Sequence, residues 1–167
     1  MEEHSLLPRE VMLMSDAPNE WLMGQLSADD VSRLCEVDVQ VSDQRSIKLV
    51  DLLLGWKQHV EKIERDFPLP SSDRSVWGAH DVVAAVSLRS FIEKGLADLE
   101  PEFRQRAERV VSEVDETFLS YTEVDDLGLL EMIDGRSNPN GGWWWRRIRK
   151  IGPAREEINL YGGLGAR

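Results

Sequence analysis

From Asp43 to Phe67 apolar side chains recur at Leu53, Trp56, Val60, Ile63 and Phe67, spaced 3, 4, 3 and 4, and Ile47, Val50 and Leu54 extend the stripe upstream. That period predicts one amphipathic helix over the whole stretch. Glu61 is placed to pair with Arg65 and Lys62 with Asp66 across one turn, and Pro68 and Pro70 end the helix. A polar turn is expected at Ser71, Ser72 and Asp73.

A second helix is expected to start between Ser75 and Ala79 and run to about Leu99, with Val82, Ala85, Leu88, Ile92, Leu96 and Leu99 on one face. Gly95 weakens it by about 1 kcal/mol relative to alanine without breaking the period. Pro101 suits the first turn of a third helix, where its missing N–H has no intrahelical partner. So short a connection predicts an antiparallel hairpin. The third helix carries the cleanest stripe in the chain: Phe103, Ala107, Val110, Val114, Phe118 and Tyr121. A shorter helix, about Asp126 to Ile133, ends near Gly135. The turn formers Ser137, Asn138, Pro139, Asn140, Gly141 and Gly142 then make a polar loop.

The flanks are less periodic. Ser27 ahead of Asp29 and Asp30 marks a helix start leading to about Cys35, whereas Val37, Val39 and Val41 alternate with polar residues as in a strand. Glu10 to Ser15 fits either type, and Glu157 to Tyr161 is read as extended. The fold class is therefore mainly α, a bundle of three long helices with short ones and a small β element from the terminal segments. With 167 residues, one domain is expected: helical core 43–135, polar loop 136–142, a Trp/Arg segment 143–161 and a flexible tail 162–167.

Charge divides the chain more sharply than composition does. The net charge is −11, yet residues 143–167 hold six cations against two acids, which leaves −15 on the other 142 residues. Such a body repels nucleic acid and anionic membranes and attracts basic partners. The single cysteine, Cys35, excludes an internal disulfide and is expected to be buried. No stretch approaches the ~20 apolar residues of a membrane span, and the opening Glu2, Glu3 and His4 do not read as a secretory signal. A soluble, unprocessed cytoplasmic protein is the expectation.

Catalytic spacing is thin. His4, His59 and His80 form no HxxxH or HExxH pattern, so a mononuclear metal site would need His59 and His80 to converge with a carboxylate such as Asp81 or Glu61. No cofactor is expected. The acids Glu113, Asp115, Glu116, Glu123, Asp125, Asp126, Glu131 and Asp134 form a run with no cation before Arg136. They present either a solvated face or an acidic surface for a cationic partner.

The second candidate is Trp143-Trp144-Trp145-Arg146-Arg147-Ile148-Arg149-Lys150, three tryptophans followed by four cations in five residues. Tryptophan and arginine are the residues most enriched at energetic hot spots of interfaces. The same residues suit a clasp in which the rings pack on the helical core and the cations lie along the acids of 113–134. The leading expectation is a small acidic non-catalytic binding protein, such as an immunity protein or an antitoxin-like inhibitor, that captures a basic protein. Its site residues would be Glu113, Asp115, Glu116, Glu123, Asp125, Asp126, Trp143, Trp144, Trp145, Arg146, Arg147 and Arg149. The alternatives are a helical enzyme or metal protein near His59 and His80, and a subunit that self-associates through Trp143–Trp145.

Overall fold

A computed structural model describes residues 20–70, 72–73, 75–134 and 141–164. Glu10–Ser15, the end of the short helix at Gly135, most of the polar loop and the last three residues of the tail lie outside the described residues.

Helix α1 spans Ala28–Glu36 and is capped by the Ser27 hydroxyl, which accepts a bond from the Asp30 N–H at 3.1 Å. It turns Leu34 inward and Cys35 outward, so the expected burial of the thiol is corrected. Neighbouring helical residues point about 100° apart, and the core side of this helix is taken by Val31 and Leu34.

The valine alternation is realised as strand β1, Asp38–Ser42, paired antiparallel with β2, Arg45–Lys48. Val39 faces Ile47, and Asp38 faces Lys48 with their side chains 2.9 Å apart. The first long helix therefore begins later than its periodicity suggests. Helix α2 spans Leu49–Asp66, and Asp43 to Lys48 belong to the hairpin because Ile47 is used for cross-strand packing. Glu61 pairs with Lys57 rather than with Arg65, while Lys62 pairs with Asp66 as expected.

Helices α3, Ala79–Ala97, and α4, Pro101–Ser120, follow with three residues between them. The Arg104 guanidinium bonds the Ala97 carbonyl and the Arg89 guanidinium bonds Asp115, so the two helices run in opposite directions. Gly95 is where β1 crosses α3, and a Cβ there would sit 2.7 Å from a Val39 methyl and 3.0 Å from one of Leu49. Its helix-weakening cost allows the hairpin to pack close.

The remaining elements form a second layer on these helices. Strand β3, Thr122–Val124, follows α4 and pairs antiparallel with β4, Arg147–Arg149. Helix α5, Leu129–Asp134, lies between them in sequence, and a 3-10 turn at Trp143–Arg146 leads into β4. Helix α6 spans Pro153–Leu164, so the extended reading of Glu157–Tyr161 is corrected, and Gly162 to Leu164 belong to a helix rather than to a tail. Ala154 and Ile158, one turn apart, are fully buried and give α6 its inner face. Its Glu157 carboxylate accepts the Ala79 N–H at 2.8 Å and so caps α3, a favourable place for an anion.

The protein is thus mainly helical with two small antiparallel sheets. One hydrophobic cluster runs from Leu22 to Ile158 and contains Trp56, Ile63, Ile92, Phe103 and Phe118. Trp56 and Phe118 meet with ring centroids 5.0 Å apart. Among the described residues no helix is long and apolar enough to cross a membrane.

Candidate functional site

The Trp/Arg segment folds back on its own chain. The Trp144 and Trp145 indoles are buried, and both donate to the Ser90 hydroxyl of α3 at 2.8 Å, while that hydroxyl donates to the Val86 carbonyl at 3.3 Å. One side chain thereby uses its single proton and both lone pairs. Gly142 makes the fold-back possible: the Trp144 ring lies where a Cβ would be. Trp143 remains 40% exposed, tilted against Phe118 and edge-on to Trp144. Trp144 and Trp145 were nominated above as partner-facing residues; burial assigns their rings to the interior instead.

The cations of this segment do not lie along the acids as expected. Arg147 bonds the carbonyls of Leu119 and Thr122 and the Thr122 hydroxyl, and Lys150 bonds the Ser120 carbonyl. The physical reason is the end of α4, whose last carbonyls have no intrahelical donor and carry the negative pole of the helix. Arg146 is exposed. Arg149 is buried, with none of its three guanidinium nitrogens hydrogen-bonded among the described residues, and it is the Arg155 guanidinium that pairs with an acid of the run, Glu123. Burial draws the Arg149 guanidinium below its ordinary pKa, and the charge of Asp66 opposes this.

The acidic run divides in two. Asp115 points inward, where its carboxylate accepts the Trp56 indole N–H at 3.0 Å and the Arg89 guanidinium at 3.0 to 3.2 Å. Arg89 also bonds Glu93 at 2.9 Å and covers the Trp144 ring 4.3 Å from its centroid. Asp125 is buried too and caps α5, accepting the N–H groups of Leu129 and Leu130 at 3.0 and 2.9 Å. Both residues were expected on the surface and are corrected to interior positions. Asp115 stands three residues before Phe118 and four after Val111, on the apolar stripe of α4, so its phase in the sequence already marks it as buried.

Glu113, Glu116, Glu123 and Asp126 are exposed. Apart from Glu123, none of these four carboxylates has an ion pair or hydrogen bond among the described residues. Glu113 stands between two depressions on the flanks of α4. One, of about 620 Å³, opens toward α1 and is lined by Asp30, Arg33, Arg106 and Arg109. The other, of about 160 Å³, opens toward α2 and is lined by Lys57, Glu61 and Glu64. In the first, Arg106 grips Asp30 through two bonds of 2.7 and 3.0 Å and holds its carboxyl below the ordinary range. Near the second, burial and then the Glu64 carboxylate raise the Tyr121 phenol, whose hydroxyl lies 3.3 Å from Glu64.

His59 and His80 take part in separate aromatic contacts. His59 packs edge-on against Trp77 with centroids 4.9 Å apart, and His80 lies beside Tyr161 with centroids 6.2 Å apart. Among the described residues, no three of His, Cys, Asp and Glu come together as a metal ion would require.

Sequence reasoning missed Ser90, which carries no pattern of its own, and Glu61 and Glu64, which reach the Glu113 side only through the packing of α2 on α4. Comparison with protein-family models, curated proteins and solved structures finds no match to this chain.

Proposed function

We propose that this protein is a small acidic binding protein without catalysis, whose exposed face on α4 captures a basic protein partner in the manner of an immunity protein or an antitoxin-like inhibitor. The carrying observation is the division of the acids. Asp30, Asp66, Asp115 and Asp125 are buried and engaged by donors of the fold, whereas Glu113 and Glu116 are exposed on α4 and make no ion pair among the described residues, even with Arg109 and Lys57 lining the depressions beside Glu113. Exposed charges that the fold does not tie into ion pairs steer an oppositely charged partner and speed its encounter. An exposed, unpaired thiol at Cys35 suits the cytosol, where thiols stay reduced.

The test is affinity purification from the native host with wild type and the Glu113→Lys/Glu116→Lys variant as baits, at low and high salt. Wild type is expected to retain a basic protein that high salt releases and the variant fails to hold. Retention of the same protein by both baits, or a partner of acidic character, would sink the reading.

A further inference from the structure

We infer that the groove between the β3–α5 connection and α6 is the docking site for an apolar anchor residue on a basic segment of the partner, an inference that rests on the reading of this chain as a binder of a basic protein. The groove encloses about 430 Å³ and is lined by Glu123, Val124, Asp126, Leu127, Arg155 and Asn159, among others. Leu127 is 78% exposed and Val124 57%, which makes Leu127 the most exposed large apolar side chain among the described residues. Neither residue is held out by a missing core, because Leu129, Leu130 and Ile148 beside them are buried. Two apolar side chains raised at the rim of a groove, with polar residues between them, have the arrangement of an interface core and its rim.

Charge selects the occupant. Three acids, Glu123, Asp125 and Asp126, line the groove against one cation, Arg155. Arg155 is committed to Glu123, and Asp125 to the N–H groups of α5, so Asp126 stands as an uncompensated acid one residue from Leu127. A second copy of the chain would bring the same acids against each other, and like charges in apposition oppose the contact. A segment with an aliphatic or aromatic anchor next to Lys or Arg satisfies both halves of the site: the anchor covers Val124 and Leu127 while the cation meets Asp126.

The experiment measures fluorescence anisotropy of labelled short peptides against the full chain. The probes are an amphipathic Leu/Lys peptide, a Ser/Lys peptide of equal charge and a Leu/Glu peptide of equal apolar content. Wild type is expected to bind Leu/Lys at least roughly tenfold more tightly than either control. Leu127→Ser and Val124→Ser, both exposed and checked for an unchanged circular dichroism spectrum, are each expected to weaken Leu/Lys binding by about tenfold. Gln58→Ala, exposed on α2 and away from both surfaces, is expected to bind it within about threefold of wild type. Equal affinity for Leu/Lys and Ser/Lys, or unchanged affinity in both serine variants, overturns the groove. Loss of binding in the Glu113→Lys/Glu116→Lys variant alone also overturns it, while leaving the acidic α4 face standing. Dimerisation of wild type in sedimentation that Leu127→Ser abolishes assigns the groove to a second copy and overturns the basic segment.

Discussion

Arg89 and Arg149 are both nearly excluded from solvent, at 6% and 1% exposure, and the fold treats their charges in opposite ways. Arg89 enters from the middle of α3 and meets the Asp115 carboxylate, the Glu93 carboxylate and the face of Trp144. Arg149 enters from β4, where the charge that favours its ionised form is Asp66, already occupied by Lys62 and the Trp77 N–H. Removing an ion from water costs several kcal/mol, and only well-placed partners offset it. The first site is a solved problem and the second is not. A cation on a long stem is carried inward wherever its helix or strand is committed to packing, and compensation depends on what the opposite element offers.

The comparison breaks hardest at Asp115. Asp115→Ala leaves the Trp56 indole N–H unpaired in the core and the Arg89 charge held by Glu93 alone, so a loss of about 3–5 kcal/mol is expected in equilibrium urea denaturation. A loss below about 1 kcal/mol would mean that Glu93 alone compensates Arg89 and that Asp115 is not what holds it. The next effect has opposite signs at the two sites. Arg149→Met removes a buried charge that has no hydrogen bond among the described residues while keeping the stem, and is expected to leave stability unchanged or raise it by up to about 4 kcal/mol, whereas Arg89→Met strands Asp115 and should lower it. If both methionine variants lose stability alike, the contrast between the two arginines fails. Thermal unfolding of the pair side by side decides it.

The smallest effect uses a third group, His59, half-buried against Trp77. Burial lowers its pKa below 6.5, and the charge of Asp81 only partly opposes this. A base whose folded pKa is depressed binds fewer protons in the fold than in the unfolded chain. Its contribution is therefore present above pH 6.5 and is lost as pH falls through the folded value. Thermal stability followed downward from neutral pH should decline over that window, and His59→Gln should flatten the decline. An identical slope in the variant would assign the acid sensitivity to other groups.

Much of the helical layer was legible because long amphipathic periods are strong signals. The stripe from Phe103 to Tyr121 and the start after Ser27 appear where expected. Asp43 to Lys48 were misassigned because Ile47 satisfies both a helical period and an alternation with its cross-strand partner Val39. The extended reading of Glu157 to Tyr161 failed for a related reason: among the described side chains of α6, Ala154 and Ile158 are the buried ones, too few points for a period, and Gly162 and Gly163 stand in its last turn. The candidate site was half legible. The sequence allowed both a folded-back and a partner-facing Trp/Arg segment; Arg147 and Lys150 go to carbonyl oxygens where α4 passes into β3, and a main-chain acceptor leaves no trace in composition. Asp115 was legible in phase and overlooked as part of a charge run, whereas the burial of Arg149 follows only from strand pairing.

The double acceptance by Ser90 gives the molecule an internal optical reporter. Two indoles fixed on one hydroxyl beside a guanidinium sit in an environment that disappears the moment the 143–149 segment lifts from α3. Tryptophan emission sums this segment with Trp21, Trp56 and Trp77, so the part of an early emission change that Trp144→Phe and Trp145→Phe remove would time its detachment.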